Sequence, residues 1–316
     1  MMLKSALVLG LAALALGSLT PKTFADGMVI PAYLPLSDTT DWNILKEDAE
    51  IFTQGTSDTY TDYFVIVTGP SSGPLTTSAE WATAKTLWDP IVVNDGEIFG
   101  YIHTLATPTG TTFRSLASVE TDIRAWVDGY SNLNGIFIDE FYPRFEIAGS
   151  GGNVATFPNG QSLAPADRSF VNPDGTINGA VQVNPAGGYY SQLTKWIRAH
   201  YPDLEIITNP GGQFYSNQVQ YGGLADMTCS FENTYAVAAN SPANNWSTLS
   251  MLSGTQSYPQ AALIHTNTTD LNGAIDQSIS HGYKFFFTTD RTLNENVWGG
   301  LPSYLTSEVS YIANHN

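Results

Sequence analysis

Eight short runs rich in β-branched and aromatic residues recur along this chain of 316 residues, and few architectures accommodate so many. They are MVIPAYL from Met28, YFVIVTGP from Tyr63, IFGYIHT from Ile98, GIFIDE from Gly135, EIITNPG from Glu205, MTCSFEN from Met227, AALIHT from Ala261 and YKFFFTTD from Tyr283. Most are nearly continuous in hydrophobicity, as expected of strands covered on both faces in a parallel sheet. Stretches with helical spacing lie between them, among them SAEWATAKTLWDPIV, SVETDIRAWVDGYSNL, YYSQLTKWIRAHYP and TTDLNGAIDQSISHG. Ser118 and Thr269 suit N-caps and Gly282 a helix terminator. Strand followed by helix, eight times, predicts an α/β fold, a single (β/α)8 barrel of the TIM type, with a doubly wound open sheet as the main rival.

Two connections are longer than the rest. Residues 141–187, rich in Gly, Asn and Pro, follow the fourth run and include Asp174-Gly175, a hairpin-turn signal; residues 234–260 follow the sixth. Loops of this length in a compact domain are usually functional or disordered, and both leave strand ends on the face where barrel enzymes keep their sites.

The opening MMLKSALVLGLAALALGSLTPKTFA has a lysine, an apolar stretch from Ala6 to Leu16 and small residues before Asp26, the layout of a secretory signal. The apolar stretch falls short of the roughly 20 residues a membrane span needs, which disfavours the competing reading of an uncleaved anchor. The expectation is a signal over residues 1–25 and one barrel domain over 26–316, secreted to an extracellular or periplasmic space and monomeric. Loss of residues 1–25 removes two lysines and no acid, taking the formal net charge from −17 to −19. Such a surface repels nucleic acid and anionic membranes; it either steers cationic partners or serves solubility alone. Cys229 is the only cysteine, so no intrachain disulfide and no thiolate metal cluster can form. Asn245 and Asn267 begin glycosylation sequons.

The run GIFIDE poses the functional question, because a buried strand ends on two adjacent carboxylates, Asp139 and Glu140. The other runs behave alike at their carboxyl ends: Tyr33, Ser71 or Ser72, His103, Asn209, Glu232, His265 and Asp290. Burying such groups unpaired would cost several kcal/mol each, so together they predict a solvated cavity. Singly each has a plainer role: Asp139 as an N-cap, Glu140 as an ion-pair partner, His103 and His265 as satisfied buried histidines, Asn209 in a turn, Asp290 as a local cap. Nothing resembles a Gly-rich phosphate loop, a G-x-S-x-G elbow or paired metal-ligand spacing among the five histidines, and no metal or cofactor is implied. Carboxylates facing each other across a cavity are the equipment of glycoside hydrolysis. Tyr33, Tyr101, Phe141, Tyr142, Phe231, Tyr235 and Trp298, aromatic residues near the strand ends, could stack on sugar rings or simply pack.

The ordered set VIPAYLP, VTGPSSGP, GYIHT, GIFIDE, YYSQLTKWI, ITNPG, SFEN and FFTTD resembles the spherulation-specific family 4, or spherulin-4-like, proteins, which include glycoside hydrolase family 135. That resemblance implies a (β/α)8 barrel, secretion, and endo-acting cleavage of α-1,4-linked N-acetylgalactosamine in galactosaminogalactan-type exopolysaccharide. Carried over, the family's acids fall on Asp139, Glu140 and Glu232. A retaining mechanism is implied, with Asp139 as nucleophile, Glu232 as general acid/base and Glu140 orienting substrate or tuning its neighbours. Tyr33, His103, Asn209, His265, Asp290 and Trp298 would bind substrate. Strand alternation turns Asp139 and Glu140 to opposite sides unless the strand ends or bulges there. The chain departs from the family pattern at Thr68-Gly69, where an Asn is usual, and in the size of the 141–187 connection. The alternative is a non-catalytic carbohydrate-binding or cell-wall or spore-associated structural protein on the same barrel; a hydrolase for another amino-sugar or galactose polymer would share the mechanism.

Overall fold

Each of the eight runs forms a strand in the computed structural model, which describes residues 27–55, 63–70, 72–106, 113–141, 189–211, 224–240 and 259–314. They are β1 (Gly27–Ala32), β2 (Phe64–Thr68), β3 (Gly96–His103), β4 (Gly135–Asp139), β5 (Glu205–Thr208), β6 (Met227–Thr234), β7 (Gln260–His265) and β8 (Phe285–Thr288). Each pairs in parallel with its sequence neighbours, and β8 closes on β1 through Met28 and Phe286, which excludes the open-sheet rival. Every residue of β1, β2, β7 and β8 is buried, and β4 is open to solvent only at Asp139. Cover on both faces is what the continuous apolar runs require.

The helices are α1 (Thr39–Gly55), α2 (Ser78–Val93), α3 (Leu116–Gly129), α4 (Tyr189–His200), α5 (Tyr235–Asn240), α6 (Leu271–Ser280) and α7 (Leu305–Ala313). One follows each strand except β5, where residues 212–223 lie outside the described residues. Two expected caps move. Ser115, not Ser118, caps α3, its hydroxyl accepting from the Ser118 amide at 3.2 Å. Asp270, not Thr269, caps α6, accepting from the Gly273 amide at 2.9 Å. In both cases the cap lies three residues before the amide it satisfies. Gly282 ends α6 with φ +84, as a terminator should.

Residues 1–25, most of the 141–187 connection, residues 241–258 and Asn245 lie outside the described residues. The other sequon is described: Asn267 is buried, and its amide donates to the Asp270 carbonyl and the Thr288 hydroxyl and accepts from the Asp270 amide. Its side chain is occupied as a structural brace and is closed to glycosylation.

Two local features aim the strands at the site. Gly100 leaves room for the Trp126 indole, whose nearest ring atom would lie 2.5 Å from a Cβ at that position, and Trp126 Nε1 donates to the Tyr101 carbonyl at 3.0 Å. Trp126 packs with Trp81 and Trp88 between α2 and α3, so β3 is pinned from outside; Trp126→Ala should cost about 3–5 kcal/mol. In β6, Cys229 pairs with Ala261 and Phe231 with Ala262, leaving Ser230 as a bulge. Cys229 and Glu232 are an odd number of residues apart and would face opposite sides in a regular strand. Both lie within electrostatic reach of Asp139, as the extra residue at Ser230 allows by bringing them to one side.

Candidate active site

Asp139 is the last residue of β4 and lies opposite His103 of β3 in register. Its Oδ2 accepts from the Tyr101 hydroxyl at 2.8 Å, and its Oδ1 accepts from Asn209 Nδ2 at 3.0 Å. The same Asn209 nitrogen donates to Glu232 Oε2 at 2.8 Å. The two carboxylates therefore present oxygens no more than about 6 Å apart, those two contacts laid end to end. The Trp298 indole lies close enough to temper Glu232 as well.

Asn209 follows β5 directly and is tied to β4 on both sides: its amide donates to the Ile138 carbonyl and its carbonyl accepts from the Phe141 amide, each at 2.8 Å. Its Oδ1 accepts from the Gly211 amide at 3.0 Å, which settles the side chain's orientation and leaves the NH₂ for the acids. The turn expected at Asn209 is present, and the same side chain bridges the two acids.

Burial, then the charge of Glu232, pushes Asp139 up to about 7, against the hydrogen bond from Tyr101. Burial also raises Glu232, tempered by Asn209 and Trp298. Like charges this close cannot both ionise cheaply, so the pair titrates as a unit that holds one proton over a wide range. Around it, burial raises the phenols of Tyr33 and Tyr101 and the thiol of Cys229 well above their ordinary values, so all three stay neutral.

Glu140 leaves the strand with φ +53, a left-handed conformation that costs a non-glycine residue about 1–2 kcal/mol. The conformation is held at the Glu140 carbonyl, which accepts from the Thr104 hydroxyl at 2.6 Å and the Tyr190 hydroxyl at 3.1 Å. This turn answers the alternation problem. Asp139 faces Glu232, while the Glu140 carboxylate swings toward β3, accepting from the Leu105 amide at 3.1 Å and lying 3.7 Å from His103 Nδ1. The Glu140 contact raises the His103 imidazole, and Nδ1 also meets the Leu105 carbonyl at 2.7 Å.

Of the remaining expected site residues, Tyr33 packs edge-on against Tyr101 at 5.0 Å. His265 is buried, its imidazole depressed by burial, with its ring perpendicular to Trp298 at 6.1 Å. The structure does not join Asp290 to this group: its carboxylate accepts from the Ser303 hydroxyl at 2.7 Å. Tyr101 was legible only as an aromatic near a strand end; that its hydroxyl reaches Asp139 depends on side-chain direction, which two strands of sequence do not reveal. Among the described residues no group of three or more His, Cys, Asp or Glu could hold a metal ion.

Comparison with known proteins agrees with the resemblance read from the sequence. The model of spherulation-specific family 4 matches residues 173–312, a span carrying Asn209, Glu232, His265, Asp290 and Trp298 but not Asp139 or Glu140. Among solved structures, the chain is similar to Aspergillus clavatus Sph3 in complex with GalNAc, at 19% identity and a TM-score of 0.61 over 92% of this chain and 99% of that one. At this identity the likeness is one of fold. A GH5-4 broad-specificity endoglucanase from an uncultured bacterium aligns over 93% of this chain and 95% of that one, at 10% identity and a TM-score of 0.46. No curated protein matches in sequence.

Proposed function

We propose that this protein is a secreted, endo-acting glycoside hydrolase that cleaves α-1,4-linked N-acetylgalactosamine or galactosamine polysaccharide with retention of configuration. The observation that carries the reading is the convergence of Asp139 and Glu232, from β4 and β6, on the single amide of Asn209. The carboxyl groups of retaining glycosidases stand about 5–5.5 Å apart and those of inverting ones about 6.5–9.5 Å, and two acids that share one amide nitrogen favour the shorter spacing. The sugar is suggested by the resemblance to spherulin-4-like proteins and by the GalNAc named with the similar Sph3 structure.

In this mechanism the Asp139 carboxylate attacks the anomeric carbon while the Glu232 carboxyl gives its proton to the leaving glycosidic oxygen. A glycosyl ester on Asp139 results. Glu232, now ionised, takes a proton from water as the water attacks the anomeric carbon, which frees Asp139 and restores both groups to their starting states. Asn209 holds the two acids in register, Trp298 stands near Glu232, and the Glu140–His103 pair borders the cleft. Tyr33 and Trp298 supply ring surface for the sugar, with the buried His265 ring packed against Trp298. Residues 1–25 serve as the export signal, and the mature monomer works without cofactor. Its acidic surface suits a partly deacetylated, cationic polymer.

The test is oligosaccharide release from galactosaminogalactan and related exopolysaccharides, read by mass spectrometry for wild type, Asp139→Asn and Glu232→Gln. Release by wild type alone supports the reading. No release from any polymer, with binding retained equally by all three proteins, would favour a carbohydrate-binding protein on the same barrel.

A further inference from the structure

Asn209 touches both acids and cannot tell them apart. Tyr101 can, because its hydroxyl donates to Asp139 alone among the two. Its ring is fixed on several sides: edge-on to Tyr33 at 5.0 Å, stacked on Phe137 at 6.3 Å, and anchored through its own carbonyl to Trp126. The neighbouring strand makes way for it. A Cβ at Gly69, just past β2, would lie 2.7 Å from the Tyr101 Cβ, closer than side-chain carbons approach. Position 69 thus admits Tyr101 only while it carries no side chain.

Resting on the glycosidase reading above, we propose that Tyr101 is a positioning residue for Asp139, whose phenol holds one carboxylate oxygen in place and biases the proton shared by the pair toward Glu232. A phenol of this kind serves the charged form of Asp139 in two ways. Oδ2 receives the hydroxyl proton while Oδ1 receives the Asn209 amide, so both oxygens of the charged form are met by donors. The phenol itself stays neutral, because burial and then the Asp139 charge oppose its ionisation. The other titratable or charged groups around Asp139 are Tyr33 beyond β1, the His103–Glu140 pair, and Cys229 and Glu232 on β6; the Glu140 backbone amide also lowers Asp139, whereas Tyr101 is the side-chain hydroxyl on Oδ2.

The experiment follows the Asp139 carboxyl carbon by 13C NMR across pH in protein labelled at aspartate, with the signal assigned by its loss in Asp139→Asn. In Tyr101→Phe the Asp139 midpoint should rise by about one to two pH units, the equivalent of one hydrogen bond to a charged group. The acid limb of kcat/KM should move up with it, and kcat should fall about 10- to 100-fold while KM stays within about threefold, since the phenol acts through Asp139. Gly69→Ala, which keeps the hydroxyl but displaces the ring, should shift the midpoint in the same direction. An Asp139 midpoint unchanged in Tyr101→Phe overturns the proposal, as does a loss of kcat with the acid limb unmoved. If wild type releases no sugar, the glycosidase reading fails, and the NMR midpoint still decides whether Tyr101 governs the proton.

Discussion

The barrel mouth and the interface between α1 and α7 each hold two carboxylates withdrawn from water, and the two sites treat them differently. At the mouth, Asp139 and Glu232 are met by Tyr101, Asn209 and Trp298, and Asp139 remains partly open to solvent. Between the helices, Asp48 on α1 and Glu308 on α7 are buried outright. Neither Asp48 oxygen and only one Glu308 oxygen finds a hydrogen-bond partner, the Thr288 amide at 2.7 Å; the Thr306 hydroxyl lies close enough to temper Asp48 but not in bonding geometry. Burial raises Asp48 to about 6 and Glu308 well above its ordinary value. A shifted carboxyl pair is therefore not in itself a sign of catalysis. Convergent donors at the strand ends distinguish the mouth, whereas the helix pair is buried with one hydrogen-bond donor between two carboxyl groups.

The widest separation between the two sites should come from removing charge at each. Asp139→Asn and Glu232→Gln should lower turnover by about 10³-fold or more while sparing polymer binding, and Asp48→Asn should leave turnover within about twofold. Steady-state kinetics on the released oligosaccharides read both. If Asp48→Asn were as damaging as Asp139→Asn, the distinction would collapse.

Asn209→Ala comes next, since it strips one donor from each acid at the mouth. Turnover should drop about 10- to 100-fold, and both limbs of the pH profile should move toward higher pH as the charged forms lose a hydrogen bond.

A smaller effect, on stability, belongs to the helix pair. Asp48 titrates at about 6 in the folded chain and near 3.9 when unfolded, so between these values the native state binds more protons. Its contribution to stability is complete below about pH 4 and is lost as pH rises to about 6. Asp48→Asn should flatten that decline and raise stability by about 1–2 kcal/mol at pH 7, with little change at pH 4, in chemical unfolding followed by fluorescence. An unaltered pH dependence would place Asp48 in water.

The smallest effect concerns the pair at the rim. Because the Glu140 contact raises His103, Glu140→Gln should let the imidazole midpoint fall back toward its ordinary value, seen in proton NMR, with less than about 1 kcal/mol change in stability.

The strands were legible because most are covered on both faces, and one residue after another had to be apolar. Their order and parallel pairing followed, as did the placing of polar residues at their carboxyl ends. Helix starts were less legible: at α3 and α6 several polar residues lie together, and only the geometry selects Ser115 and Asp270. Two features of the site had no local signal. The bulge at Ser230 that turns Glu232 inward is a matter of register with β7, and the positive φ of Glu140 is held by hydroxyls from Thr104 and Tyr190, one of them 50 residues away. Asp290 stood at the end of an apolar run like the others, yet β8 ends at Thr288, and Asp290 lies far enough beyond it to bond Ser303 instead.

The most direct measurement is the anomeric configuration of the first product formed from an α-1,4-linked galactosaminogalactan oligosaccharide, followed by proton NMR before mutarotation. The account predicts the α-anomer, because Asp139 and Glu232 are close enough for a glycosyl ester and two displacements. A β-anomer as first product would mean a single displacement by water and would contradict the nucleophilic role of Asp139.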